Sequence, residues 1–141
     1  MMGFDLILTA RLQVEAKTKW RHQGREAGVA LDCVGLLYHV AYMNGLNVED
    51  IRNYSMRPGS TKLYETLAQY ADKIALDQPR KPGDILVVSI NGEDPQHTAL
   101  WTGEGTVIHS SAKHRRVVEH RFDEDMRRGL CAIYRLRGLD G

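Results

Sequence analysis

Leu31-Asp32-Cys33-Val34-Gly35-Leu36-Leu37-Tyr38-His39-Val40-Ala41-Tyr42-Met43-Asn44-Gly45 is an apolar run with a start signal at one end and a stop signal at the other. Asp32 is a good helix cap, because its carboxylate accepts the amide protons that the first turn leaves unpaired. Asn44-Gly45 suits a helix end, where a left-handed residue closes the last carbonyls. Cys33, Leu36, Leu37, Val40 and Ala41 fall on one face at helical spacing. The stretch predicts a buried central helix with a thiol in its first turn.

Working outward, Leu6, Ile7, Ala10 and Val14 predict a helix over about residues 4–18. The polar, glycine-bearing stretch 20–28, Trp20-Arg21-His22-Gln23-Gly24-Arg25-Glu26-Ala27-Gly28, reads as a loop. Arg57-Pro58-Gly59-Ser60 reads as a turn and a cap. From there to about Ala75, Leu63, Leu67, Tyr70, Ala71 and Ile74 form a second amphipathic pattern. After Lys81-Pro82-Gly83-Asp84 the period changes to that of strands, expected at 85–89, 97–101, 106–110, 116–120 and 131–136, with a short helix near 123–128. Helices first and antiparallel strands second predict an α+β fold, with helices packed on one side of a meandering sheet of about five strands.

The chain has 141 residues, 43% hydrophobic and 26% charged, as expected of one globular domain spanning 1–141. A net charge of +1 gives no global field to recruit nucleic acid or an anionic membrane. The basic pairs Arg115-Arg116 and Arg127-Arg128 have acidic residues close by and read as solvated faces. The apolar run at the N-terminus is too short for a signal peptide and contains Asp5. No stretch approaches the roughly 20 apolar residues of a membrane span. A start in a cytoplasm is expected. Cys33 and Cys131 are then expected as free thiols. No paired cysteine spacing suggests a metal.

A thiolate attacks a carbonyl far faster than a thiol does, and a free cysteine is mostly protonated at neutral pH. A helix N-terminus favours the anion, as does a neighbouring imidazolium. Cys33 meets the first condition. Asp32 opposes it unless its carboxylate turns into the cap or toward a cationic group of substrate. Judged alone, Cys33 reads more readily as a small buried hydrophobe. Cys131, in a strand with no capping residue, reads as core.

Six histidines are available as a base. His97 opens a strand, and His109 lies on the next strand of the expected hairpin. A turn centred near Gly103-Glu104 pairs positions summing to about 206, and 97 + 109 = 206, so both rings would stand on one face. One ring could then orient the other. His114 and His120 read as solvated, His39 as a satisfied core histidine, and His22 as a candidate lining of a substrate groove. A zinc site built from His97, His109 and a carboxylate is the weaker alternative, because no matching ligand spacing is present.

These segments resemble a known family in order and spacing. Leu31-Asp32-Cys33-Val34-Gly35-Leu36 is similar to the Asp-Cys-Ser-Gly-Leu signature of the NlpC family of cell wall cysteine peptidases. Lys81-Pro82-Gly83-Asp84-Ile85-Leu86 resembles its Pro-Gly-Asp-Leu strand entry. His97-Thr98-Ala99-Leu100-Trp101 resembles its His-Val-Gly-Ile-Tyr segment, and Val107-Ile108-His109-Ser110 its Ile-His-Ala segment. The match runs over roughly residues 4–137. Trp20-Arg21-His22-Gln23-Gly24-Arg25 looks like the Tyr-Arg-His-Gln-Gly stretch of phage tail and gene transfer agent members.

The resemblance implies a papain-like fold that cleaves peptide bonds of peptidoglycan without a cofactor. Cys33 would be nucleophile, His97 general base and acid, and His109 the orienting third member. The Cys33 amide would help to hold the oxyanion. Asp32, Trp20, His22 and Val34 would bind substrate. Val34 stands where the family has a serine and Trp20 where it has a tyrosine, so the substrate and the second oxyanion donor stay open. Phage tail-tip or hub proteins are the implied partners, and a particle tail the implied destination. A non-catalytic tail component, or a thiol acyltransferase or deamidase, is the alternative.

Overall fold

A computed structural model describes residues 2–50, 62–89 and 97–139. The expected turn at Arg57-Pro58-Gly59-Ser60 and the loop before His97 lie outside the described residues. The first helix, α1, spans Gly3–Glu15, and the central helix, α2, spans Cys33–Met43. Asp32 caps α2 as expected, its carboxylate accepting the Gly35 amide at 2.7 Å. Helix α3 spans Lys62–Tyr70, and a short α4 spans Glu124–Gly129 behind an Asp123 cap.

The strands are β1 (Lys19–Trp20), β2 (Arg25–Glu26), β3 (Ala30–Leu31), β4 (Ala71–Ile74), β5 (Ile85–Val88), β6 (His97–Trp101), β7 (Thr106–Ser111), β8 (Arg116–Arg121) and β9 (Leu130–Leu136). They join one sheet in the order β2-β3-β1-β8-β7-β6-β5-β9-β4. The described residues thus hold nine strands where about five were expected. The five predicted ones form the contiguous centre, β8 to β9. Three of the four additions are two-residue strands in or beside the stretch read as a loop, too short for alternation to register. The fourth, β4, takes the end of the second predicted helix: its residues pair with β9, Ala71 opposite Leu136 and Ile74 opposite Ile133. Cross-strand pairing there overrides a helical apolar pattern. The sheet is also mixed, since β1 and β3 pair in parallel.

Both faces of the central sheet are covered. Ile85, Val87, Leu100, Ile108 and Tyr134 pack with Leu6, Ile7 and Ala10 of α1, Leu36 and Val40 of α2, and Leu63 and Leu67 of α3. Leu86, Val88, Ala99, Val107 and Ile133 pack on the other face with Phe122 and Met126. Burying each such aliphatic side chain contributes about 1.5–3 kcal/mol, so this two-sided core is the main source of stability.

Cys131 is exposed, which corrects its assignment to the core. Between β5 and β9 the register passes from Val87 opposite Ala132 to Val88 opposite Leu130, so Cys131 is the extra residue of a bulge. A bulged residue is left out of the pairing and loses the inward direction that alternation would give it.

The Pro82-Gly83-Asp84 entry to β5 is explained by packing. Asp84 is buried and accepts Arg135 through both carboxylate oxygens, each at 2.8 Å, and the Lys81 amide at 2.8 Å. Gly83 and Gly3 touch backbone to backbone, and a side chain at Gly3 would run into the Pro82 carbonyl. This contact anchors the start of α1 on the sheet. Replacing Asp84 by Ala leaves the half-buried Arg135 guanidinium without its acceptor, and the expected cost is about 2–4 kcal/mol. Urea unfolding of Asp84→Ala reads it directly, and an unchanged midpoint would show that this carboxylate does not hold the strand entry.

Candidate active site

The loop before α2 and the first turn of α2 form one hydrogen-bonded unit. Besides capping Gly35, the Asp32 carboxylate accepts the Gln23 amide at 2.8 Å and the Arg25 guanidinium at 2.8 Å. Arg25 also binds Asp50 at 2.8 Å. Gly35 lets this loop sit directly on the helix: a side chain there would collide with the Gly24 carbonyl and approach Arg25 Nη1 to 3.0 Å. Asp32 is 2% exposed. Its carboxylate is turned inward to the cap and to Arg25, which helps to place Cys33.

Cys33 therefore stands at a fixed helix start, 5% exposed. Thr98 of β6 faces it, with its hydroxyl 3.5 Å from the Cys33 carbonyl oxygen. Burial pushes the thiol above its ordinary value, and the nearby Asp32 charge adds to this. Hydrogen bonding from the Thr98 amide and hydroxyl and from the Val34 amide works in the opposite direction but does not prevail. The helix N-terminus and the neighbouring carboxylate thus act against each other, and burial sides with the carboxylate. Desolvation of a sulfur anion outweighs half a dipole charge, most of all beside a carboxylate.

His97, next to Thr98, opens β6 at the mouth of the sheet. Its Nε2 lies 2.6 Å from His109 Nδ1, with the rings edge to face and their centroids 4.8 Å apart. The expected pairing of these two residues on one face holds, through a register shifted by two. Leu100 lies opposite Ile108 and Trp101 opposite Val107, so paired positions sum to 100 + 108 = 208. His97 and His109 are diagonal neighbours, still within reach of large side chains. Burial pushes His97 down to about 4 and His109 well below the usual imidazole range, and neighbouring histidines add to both. Both rings are therefore neutral at pH 7.

By alternation His97 shares a face with Ala99 and Trp101, whereas Thr98 shares the face of Leu100 that meets the helices. The thiol comes to β6 from the helix side and the rings stand on the other. His97 is the chain neighbour of Thr98, the β6 residue whose hydroxyl reaches the Cys33 carbonyl oxygen.

A residue read as solvated belongs to the same row. His120 of β8 is half-buried, its Nε2 2.8 Å from His109 Nε2 and its Nδ1 2.7 Å from the Arg121 carbonyl oxygen. The β7–β8 register explains this. His109 lies opposite Val118, so His120 is again a diagonal neighbour on the same face. Pairing β8 as β6 was paired would have found it, since residues 109, 118 and 120 then share a face.

The remaining assigned residues divide. Trp20 is half-buried on β1, opposite Leu31, two residues before Cys33. His22 is exposed and adjoins Gln23, so both sit around the loop that holds the nucleophile's helix. Val34 is 4% exposed, and its side chain belongs to the helix-side core. His39 is half-buried, 3.5 Å from the Gln13 amide nitrogen. His114 is exposed, 2.9 Å from the Ser111 hydroxyl. Among the described residues no group of three or more His, Cys, Asp or Glu side chains is arranged to hold a metal ion. Likewise, no described helix is long and apolar enough to cross a membrane.

Among solved structures, the chain resembles an NlpC/P60 family protein from Bacillus cereus, with a TM-score of 0.74 and 16% identity. That match covers 96% of this chain and 40% of the other, so the chain spans well under half of that relative. The NlpC/P60 domain of the peptidoglycan hydrolase SagA matches with a TM-score of 0.67 and 18% identity, over 96% of this chain and all of that one. RipD from Mycobacterium tuberculosis, described as a non-catalytic NlpC/P60 domain protein adapted to peptidoglycan binding, matches with a TM-score of 0.62 and 19% identity, over 99% and 98%. At these identities the likeness shows the papain-like fold of that group alone. No curated protein matches the chain. The family model described as NlpC/P60 family matches residues 17–134, which take in Cys33, His97, His109 and His120, and the chain belongs to the NlpC/P60 family.

Proposed function

We propose that this chain is a cysteine peptidase that cleaves a peptide bond in the stem peptides of bacterial peptidoglycan, with Cys33 as nucleophile and His97 as base. The observation that supports it is a thiol at a fixed helix start lying against Thr98, whose chain neighbour His97 carries an imidazole paired with His109 at the mouth of the same strand. The family's members that hydrolyse peptidoglycan, such as SagA, support the substrate class. The Tyr-Arg-His-Gln-Gly-like stretch beginning at Trp20 supports a place in a phage tail or gene transfer agent, with tail-tip or hub proteins as partners. In that setting the chain is made in a bacterial cytoplasm and reaches the wall in a particle.

The resting pair in this reading is uncharged, because burial raises the thiol and lowers the imidazole. The His97 ring takes the thiol proton as the sulfur attacks the carbonyl, then returns a proton to the leaving amine. The Cys33 amide, at the helix N-terminus, is one donor to the oxyanion. Water then releases the acyl group, with His97 again as base. A second reading, peptidoglycan binding without turnover, is favoured by the raised thiol and by the match to RipD.

Turnover of purified muropeptides separates the two. Cys33→Ala is expected to abolish cleavage, His97→Ala to slow it by about 10²–10⁴-fold, and Cys131→Ala to leave it unchanged. Retained binding with no cleavage by the unmodified chain would establish the second reading instead. Iodoacetamide alkylation checks the uncharged pair without substrate. At pH 7 the exposed Cys131 is expected to react faster than Cys33, whose rate climbs only above the ordinary thiol range. Rapid alkylation of Cys33 at pH 6 would reveal a resting thiolate and overturn the neutral-pair mechanism.

A further inference from the structure

We infer that His120 is a positioning residue that sets, through His109, which nitrogen of His97 carries its proton. The inference rests on His97 acting as the base, and concerns a residue two strands away from it.

The assignment follows from hydrogen-bond direction along the row. The Arg121 carbonyl oxygen is only an acceptor, so His120 Nδ1, 2.7 Å away, must carry the hydrogen. With its one N–H used there, an uncharged His120 ring has a bare Nε2. His109 Nε2, 2.8 Å from that bare nitrogen, must then be the donor. His109 Nδ1 is left bare in turn and accepts from His97 Nε2 at 2.6 Å. His97 consequently keeps its lone pair on Nδ1, the nitrogen turned away from His109. A base needs a lone pair on the nitrogen that meets the thiol proton, and the opposite tautomer would present an N–H there.

Without His120 the order is lost. His109 alone orients the His97 ring equally well in either tautomer, because its own two nitrogens interchange roles. The backbone carbonyl of Arg121 cannot donate, and it breaks that symmetry. The groups facing His120 are compatible with this. His109 comes from β7, His114 lies with its ring centroid 5.9 Å away in the turn after β7, and the Asp123 carboxylate is 4.0 Å from His120 Nδ1. Asp123, like the Arg121 carbonyl, accepts and therefore also favours hydrogen on Nδ1.

Nitrogen-15 NMR of the histidine rings tests this on the unmodified protein, since a protonated ring nitrogen and a bare one differ widely in shift. Hydrogen is expected on Nε2 of His97 and His109 and on Nδ1 of His120. Hydrogen on His97 Nδ1 would overturn the inference, whether or not the chain cleaves peptidoglycan. Two substitutions give opposite expectations. The carboxylate of His120→Glu can only accept from His109, so the tautomers should stay as in the parent and kcat within about threefold of it. His120→Lys can only donate and should reverse the row, placing hydrogen on His97 Nδ1 and lowering kcat by about tenfold or more at little changed KM. Unchanged tautomers in a folded His120→Lys variant would equally sink it. If wild-type tautomers are as assigned while no muropeptide is cleaved, the positioning role stands and the peptidase reading fails.

Discussion

The Asp32 carboxylate binds the Gly35 amide, the Gln23 amide and the Arg25 guanidinium at once. One buried charge thereby fixes a helix start, the loop in front of it and, through Arg25, the Asp50 segment. A carboxylate so enclosed is tolerable only because each contact is charge-assisted. Gly35 belongs to the same constraint, since the Gly24 carbonyl occupies the space of a side chain. Cys33 lies between these anchors and inherits its position from them. The Asp-Cys-x-Gly segment is in this sense a mounting for the sulfur.

That mounting has a chemical consequence. Burial and the Asp32 charge hold the sulfur protonated, while burial holds His97 neutral at the strand mouth. Two shifts that each look unfavourable to an ion pair are consistent with one another. In the proposed peptidase the thiol would give up its proton only as it attacks, to a base whose own charging is deferred by the same low dielectric. The histidine row across β6, β7 and β8 would supply the orientation that such a neutral base requires.

Much of the fold was legible because its signals are local. The Asp32 cap, the apolar face of α2 and the alternation in β5 to β9 each act within a few residues. The short strands β1 to β3 left no trace in the pattern, since two residues cannot show a period. Ala71–Ile74 carried a helical pattern yet pairs with β9, where four cross-strand partners outweigh local propensity. Cys131 alternates as a core residue on paper, and a bulge invisible to alternation turned it out.

The sequence by itself determined which residue types stand where a thiol enzyme needs them: a capped cysteine, a histidine at a strand mouth, and a second histidine of matching parity. These follow from short-range rules of capping and alternation, which spacing alone encodes. Only the tertiary structure decided the upward direction of the Cys33 shift and the membership of His120. Both depend on what packs around a group, namely the desolvation of the sulfur against Thr98 and the diagonal register of β8 on β7. Burial and register arise from contacts between distant segments, and no local stretch of chain contains them.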